Sequence, residues 1–147
     1  MRDLNSLSGP WTGFSIQDDR RISETIDLAI SGGKIEGSGS DVDGNFEIVG
    51  FYQNRNHVVM LTRRYTVTTE PSQLGVGVPY DYEGKWDGFM VSGYWHPRSD
   101  RSYGGPFEMW PLTEETLEEL QINFGELELV SKIKKLVSAP NKLGNEP

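Results

Sequence analysis

The sequence predicts an all-β fold: an eight-stranded antiparallel up-and-down β-barrel followed by a C-terminal helical segment. Before residue 113, eight short runs rich in β-branched and aromatic residues are separated by turn residues such as Gly32-Gly33 and Asp43-Gly44. Simple succession of the runs indicates neighbouring strands, and closing eight of them into a barrel buries one shared face and removes exposed edges. A two-sheet sandwich is the alternative, and the lack of long crossover connections disfavours it.

Composition limits the function classes. The chain has 147 residues, no cysteine and a formal net charge of -8, which suits one domain without disulfides or thiolate chemistry. The negative charge argues against a nucleic-acid partner or an anionic membrane surface. We find neither an apolar run long enough to span a membrane nor an apolar signal core, so a cytoplasmic location is expected.

The strands are predicted from alternation of apolar and polar residues. In the clearest example, Ile22, Ile26 and Leu28 share one side of a strand, and Glu24 lies on that same side. Gly32-Gly33 then forms a hairpin turn that requires positive φ. The predicted strands cover residues 11–17, 22–31, 34–40, 45–53, 57–66, 78–85, 89–96 and 105–112.

The last part of the chain has a different pattern. Thr113 is a candidate N-cap, carboxylates fill the next positions, and Leu117, Leu120 and Phe124 form an apolar stripe at helical spacing. We predict a barrel over 1–112, one helix or two short helices packed on it over 113–138, and a flexible tail over 139–147. Self-association of this helix into a homodimer is the alternative to packing on the barrel.

An up-and-down barrel has two ends with different loops. One end receives the loops at 32–33, 54–56 and 86–88, which are tight turns, and the other receives those at 17–21, 41–44, 66–77 and 96–104. We call the first end the base and the second the mouth. Long loops on a rigid scaffold usually carry function, so a binding site is expected at the mouth, with Arg98, Arg101 and Tyr103 on its rim.

Two kinds of charged residue are predicted inside the barrel. Glu24 shares the apolar side of its strand, and one member of Arg63-Arg64 must also point inward because strand neighbours alternate. An inward arginine would pair with Glu24 or receive an acidic group of a ligand, and the alternative is an arginine that reaches water at the rim. The predicted ligand contacts in the lumen are Glu24, Met60, Arg64, Tyr80, Tyr82 and Trp95.

Other candidate sites are weak. The Asp41–Gly44 turn lacks the twelfth-position carboxylate of a calcium loop, and the two histidines fall at opposite ends of the barrel. Asp81 and Glu83 share a strand face that is expected to be solvent-facing. We therefore expect no catalytic residue, no metal and no cofactor.

The start of the first strand carries a family resemblance. Gly9-Pro10-Trp11 resembles the Gly-x-Trp signature of lipocalins and the wider calycin superfamily. The resemblance implies that Trp11 packs across the closed base of an eight-stranded barrel, and that a helix follows the last strand. Residues 105–112 lack the arginine of that family, and the loop from Gln17 to Arg21 is too short to form its lid.

The predicted function is non-enzymatic binding of a small, mostly apolar or amphipathic ligand at the mouth. One alternative is a structural or protein-interaction domain whose barrel is filled by side chains. A second is an isomerase or cyclase acting in the lumen, for which a lumen carboxyl with a strongly perturbed pKa is expected.

Overall fold

A computed structural model describes residues 1–69, 72 and 74–112 and contains a closed barrel of eight antiparallel strands. The strands are β1 (Gly9–Gln17), β2 (Arg20–Ser31), β3 (Lys34–Asp41), β4 (Gly44–Gln53), β5 (Val58–Thr68), β6 (Tyr80–Trp86), β7 (Val91–Pro97) and β8 (Gly105–Pro111). Each strand pairs with the next, and β8 pairs with β1, with Phe14 opposite Glu108. The predicted up-and-down barrel is therefore confirmed, and the sandwich is excluded by the β1–β8 ladder.

Alternation along the strands builds the core. In β2, Ile22, Glu24, Ile26, Leu28 and Ile30 are buried, while the residues between them are partly or fully exposed. The inward side chains of all eight strands meet in one cluster of aromatic and aliphatic residues. Burial of this shared face is the main force that closes the sheet.

Glycines permit the tight turns and the close approach of strands. Gly32 and Gly33 have φ values of 57° and 81°, as the predicted hairpin requires. At Gly93 in β7, a Cβ atom would lie 1.9 Å from the carbonyl oxygen of Glu83. A side chain at this position would therefore force β6 and β7 apart.

The N-terminal segment adds an element that the sequence pattern does not predict. A single 3₁₀ turn, Leu4–Ser6, begins after Asp3, whose carboxylate accepts the Asn5 N–H at 3.0 Å. Leu4 is buried, and the Asn5 side chain accepts the Gly33 N–H at 2.9 Å. The segment thereby fastens to the β2–β3 turn and covers the base of the barrel.

The predicted helix over 113–138 and the tail over 139–147 lie outside the described residues, and so does the predicted homodimer contact. The described chain ends at Leu112, whose N–H donates to the Pro10 carbonyl at 2.8 Å, beside the base. Within the described ranges, we find no helix that is long and apolar enough to cross a membrane.

Candidate functional site

The base of the barrel is closed by tryptophans. The rings of Trp11 and Trp86 lie 5.9 Å apart, and each residue is 1% exposed. The Trp11 indole N–H donates to the Leu7 carbonyl and the Trp86 indole N–H to the Arg2 carbonyl, both at 2.8 Å. Trp11 therefore occupies the position that the calycin resemblance predicts for it, with its polar atom satisfied by the N-terminal segment.

A buried ion pair fills the centre of the barrel. Arg63 donates to both carboxylate oxygens of Glu24, at 3.1 and 2.6 Å, and both residues are 2% exposed. The Arg63 guanidinium carbon lies 3.9 Å from the ring centre of Phe46 and 4.4 Å from that of Tyr82. Burial favours a lower pKa for Arg63, but the Glu24 carboxylate outweighs it and raises the pKa above its usual range. The inward arginine is thus committed to Glu24, and an acidic ligand group is not needed to neutralise it.

The prediction that Met60 and Arg64 line the lumen is wrong. Met60 is 38% exposed and Arg64 is also exposed, so both point away from the lumen. In β5 the inward positions are Val59, Leu61, Arg63 and Tyr65. Arg63, rather than Arg64, points inward because its position shares the parity of the apolar residues and faces the carboxylate of Glu24. By contrast, Glu24, Tyr80, Tyr82 and Trp95 all point inward as predicted.

A carboxyl with a perturbed pKa lies above this ion pair. The Tyr65 hydroxyl donates to Asp41 Oδ2 at 2.5 Å, and Asp41 Oδ1 accepts the Asp43 N–H at 2.8 Å. Burial raises the pKa of Asp41 to about 6, against the lowering effects of the Tyr65 hydrogen bond and the Arg63 charge. Burial and the Asp41 charge also raise the pKa of Tyr65 far above its usual value. Both oxygens of Asp41 are therefore occupied within the protein.

The mouth contains a cavity of about 460 Å³, which we call the mouth pocket. Every one of the loops predicted at this end contributes to it: Gln17, Asp18 and Arg20 around the β1–β2 turn, Asp43 between β3 and β4, Ser72 and Leu74 between β5 and β6, and Pro97 and Tyr103 around the β7–β8 loop. Tyr80 and Trp95, at the mouth ends of β6 and β7, line it from the barrel side. The four loops at the mouth therefore surround one concavity.

Aromatic rings dominate the inner wall of the mouth pocket. The Trp95 ring lies 6.2 Å from that of Tyr80 and 5.8 Å from that of Tyr103. The Trp95 indole N–H donates to the Ile16 carbonyl at 3.0 Å, which fixes the ring. Tyr103 donates its hydroxyl to Asp18 Oδ2 at 2.8 Å, and this hydrogen bond, followed by burial, raises the pKa of Tyr103. The rings are therefore held in place before any ligand binds.

Asp43 has a buried carboxylate oxygen without a donor. Its Oδ2 atom is shielded from solvent, and we find no hydrogen-bond partner for it in the described part of the chain. The main chain of Asp43 is fixed, since its N–H donates to Asp41 Oδ1 and its carbonyl accepts the Thr69 N–H at 2.9 Å. Burial, and then the charge of Asp43, raises the pKa of Tyr80 on the same pocket.

Two of the predicted rim residues lie elsewhere. Arg98 folds over the outer face of the barrel, where its Nη2 and Nε atoms donate to Asp81 at 2.8 and 3.1 Å. This ion pair lowers the pKa of Asp81. Arg98 and Arg101 line a separate groove of about 370 Å³ outside the barrel, beside Phe51 and Met60. Neither arginine lines the mouth pocket, whereas Tyr103 does. Arg98 lies away from the mouth because the carboxylate that it binds, Asp81, is on the outer side of β6.

Sequence reasoning missed several residues of the mouth pocket, among them Asp18, Asp43 and Leu74. The loops that carry them were assigned to the correct end, so their position was predictable while their contact with the cavity was not. Among the residues that the structure describes, no cluster of three or more histidine, aspartate or glutamate side chains could hold a metal ion. The histidines have other contacts: His57 Nδ1 lies 3.0 Å from the Tyr52 hydroxyl and His96 Nδ1 2.7 Å from the Pro97 carbonyl.

Comparison with known proteins adds no family to this description. No family model, no curated protein and no solved structure matches the chain. The argument for function therefore depends on the geometry of the barrel and its mouth.

Proposed function

We propose that this barrel binds a small molecule with a flat, mostly apolar body in its mouth pocket, and that it does so without catalysis. Asp41 has the raised pKa expected of an isomerase or cyclase, but it does not line this pocket and both of its carboxylate oxygens are bonded within the protein. The observation that carries the proposal is the cavity of about 460 Å³, walled by all of the mouth loops and lined on its inner side by Tyr80 and Trp95. Pockets for small ligands usually measure about 300–1,000 Å³ and combine apolar walls with fixed polar groups. The mouth pocket lies in this size range, with the rings of Tyr80, Trp95 and Tyr103 on one side and polar residues making up about half of its lining.

The packing below the pocket supports a ligand at the mouth rather than deep in the lumen. The Tyr82 ring contacts that of Phe107 at 5.1 Å and is stacked on that of Trp95 at 6.4 Å. Beneath these rings lies the Glu24–Arg63 pair. A ligand would therefore contact Tyr80, Trp95 and Tyr103, while Glu24 and Tyr82 would support the barrel beneath it.

A calycin-like architecture is part of this proposal. The first strand of the closed barrel begins with Gly9-Pro10-Trp11, and Trp11 lies at the base. In such an architecture one end is sealed and the other end receives the ligand. The closed base and the pocketed mouth of this chain support the same division.

The proposal can be tested by NMR of the indole N–H groups, with phenethyl alcohol as a neutral aromatic probe. We expect millimolar probe to shift the Trp95 signal, assigned by its loss in Trp95→Phe, and to leave the Trp11 and Trp86 signals in place. The base tryptophans are internal controls because their N–H groups are bonded at the opposite end. Shifts confined to the Trp11 and Trp86 signals, or no shift of the Trp95 signal with this probe or with cationic and anionic analogues of it, would overturn the proposal.

The packed interior favours a second candidate, a structural or protein-interaction domain. Buried side chains of Trp11, Trp86, Arg63 and Phe46 fill the lower and central barrel, as expected if the barrel were a scaffold alone. Native mass spectrometry of the purified protein separates the two candidates. A retained small molecule that is lost in Trp95→Ala supports ligand binding. A stable protein–protein complex that contains no small molecule supports the structural or protein-interaction domain.

A further inference from the structure

We propose that the ligand of the mouth pocket carries a positively charged nitrogen, as in a small aromatic amine. This inference rests on the proposed function, because it names the chemical class of the molecule that the pocket would bind. It combines the aromatic wall of the pocket with the unpartnered carboxylate oxygen of Asp43.

The aromatic wall suits both parts of such a ligand. The rings of Tyr80, Trp95 and Tyr103 line one pocket, with neighbouring ring centres 6.2 and 5.8 Å apart. An apolar body gains by leaving water for these rings. A cationic nitrogen near a ring face gains further from the negative π surface, most strongly over tryptophan and when it is desolvated.

Asp43 supplies the acceptor for the charged nitrogen. A buried carboxylate oxygen without a donor is unfavourable. Because Asp43 lines the pocket while its Oδ2 atom is shielded, rotation of the side chain would bring this oxygen to an N–H group of a ligand. Hydrogen bonds on both sides of the residue, to Asp41 Oδ1 and from the Thr69 N–H, hold its backbone in place. Only the side chain of Asp43 therefore has to be ordered on binding, which limits the conformational entropy lost.

The charge around the pocket disfavours an acidic ligand. The described lining contains two carboxylates, Asp18 and Asp43, and one guanidinium, Arg20. The inward arginine that could have received an acid is held by Glu24 in a bidentate pair. The net charge of -8 of the whole chain also attracts cations and repels anions.

Three probes of similar shape test this inference on the unmodified protein: phenethylamine, phenethyl alcohol and hydrocinnamate. With the Trp95 indole signal as readout, we expect the cationic amine to bind at least about tenfold more tightly than the neutral alcohol, the factor of a charge-assisted hydrogen bond. The anionic acid is expected to bind most weakly. Equal affinity of amine and alcohol, or tightest binding of the acid, would overturn the inference and leave the proposed function standing.

Asp43→Asn tests the role of the carboxylate, with Asp27→Asn as a control of equal charge change on the exposed outer face of β2. We expect Asp43→Asn to bring the amine to within about twofold of the alcohol, and Asp27→Asn to preserve the tenfold preference. A preference that survives Asp43→Asn would contradict the assignment to Asp43. Unchanged Trp11 and Trp86 signals report that the variant is folded. If the variant does not fold, the ranking of the three probes on the unmodified protein still decides the inference.

Discussion

The two ends of the barrel use the same residue types for different purposes. At the base, Trp11 and Trp86 are fully packed and donate their N–H groups to the N-terminal segment. At the mouth, Trp95 is also bonded to the main chain, but it lines a cavity together with Tyr80 and Tyr103. A short segment covers one end and long loops surround the other, so aromatic residues seal the barrel at the base and form a wall at the mouth.

If this contrast is correct, substitutions at the base and in the centre should reduce stability, and those at the mouth should mainly affect binding. The largest effect is expected for Glu24→Gln, which leaves the Arg63 charge buried without its carboxylate partner. Breaking a buried ion pair from one side costs about 3–5 kcal/mol, whereas replacing both partners with apolar residues is often neutral. Urea unfolding of Glu24→Gln measures the cost of breaking the pair, and urea unfolding of the double variant Glu24→Leu/Arg63→Met measures the effect of replacing both partners. A decrease of less than about 1 kcal/mol in the unfolding free energy of Glu24→Gln would show that water reaches the centre of the barrel.

The next effect concerns pH. Asp41 has a pKa of about 6 in the folded protein, against 3.8 for an unperturbed aspartate. Above pH 6 both folded and unfolded forms are ionised; between about pH 6 and pH 4 the folded form takes up the proton first. Protonation of Asp41 therefore adds stability as the pH falls through this window, by about 3 kcal/mol for a two-unit difference in pKa.

Asp41→Asn removes this titration. The unfolding free energy of the wild-type protein minus that of Asp41→Asn should increase by about 2 kcal/mol from pH 7 to pH 4, with the rest of the gain below pH 4. Chemical denaturation at several pH values measures this difference. The subtraction cancels the titration of the other carboxylates. A difference that is independent of pH would show that Asp41 titrates normally.

A smaller effect is expected for Trp11→Phe at the base. The change removes part of a buried ring and the N–H donor to the Leu7 carbonyl, with an expected loss of about 1–3 kcal/mol. Affinity of the mouth for phenethylamine should be unchanged. Thermal unfolding and the Trp95 titration give the two readouts, and a loss of affinity without a loss of stability would reverse the assignment of the two ends.

The smallest effect on stability is expected for Tyr103→Phe at the mouth. It removes the hydroxyl that donates to Asp18 at an exposed site, and surface changes of this kind usually alter stability by less than about 0.5 kcal/mol. Thermal unfolding beside Trp11→Phe provides the comparison. An equal loss in both variants would mean that the mouth is packed as tightly as the base.

Much of the barrel was predictable because its signals are local. Alternation in β2 and the Gly32-Gly33 turn depend on neighbouring residues, and strand succession then leads to closure and to two ends with different loops. The inward positions of Tyr80 and Trp95 follow from the same alternation.

The remaining features depend on contacts between distant parts of the chain. Arg63 and Arg64 are adjacent and identical, and the inward one is distinguished by Glu24, which lies across the barrel lumen. Arg98 turns outward because Asp81 on the neighbouring strand holds it. The N-terminal segment is too short to show a periodic pattern, yet Leu4 covers the base.

Nuclear Overhauser contacts between bound phenethylamine and assigned aromatic side chains would test the central claim most directly. We expect contacts from the probe to the rings of Tyr80, Trp95 and Tyr103, and none to those of Trp11 and Trp86. Contacts to the base rings, or to Phe46 beside the central ion pair, would contradict the division of the barrel into a sealed base and a binding mouth.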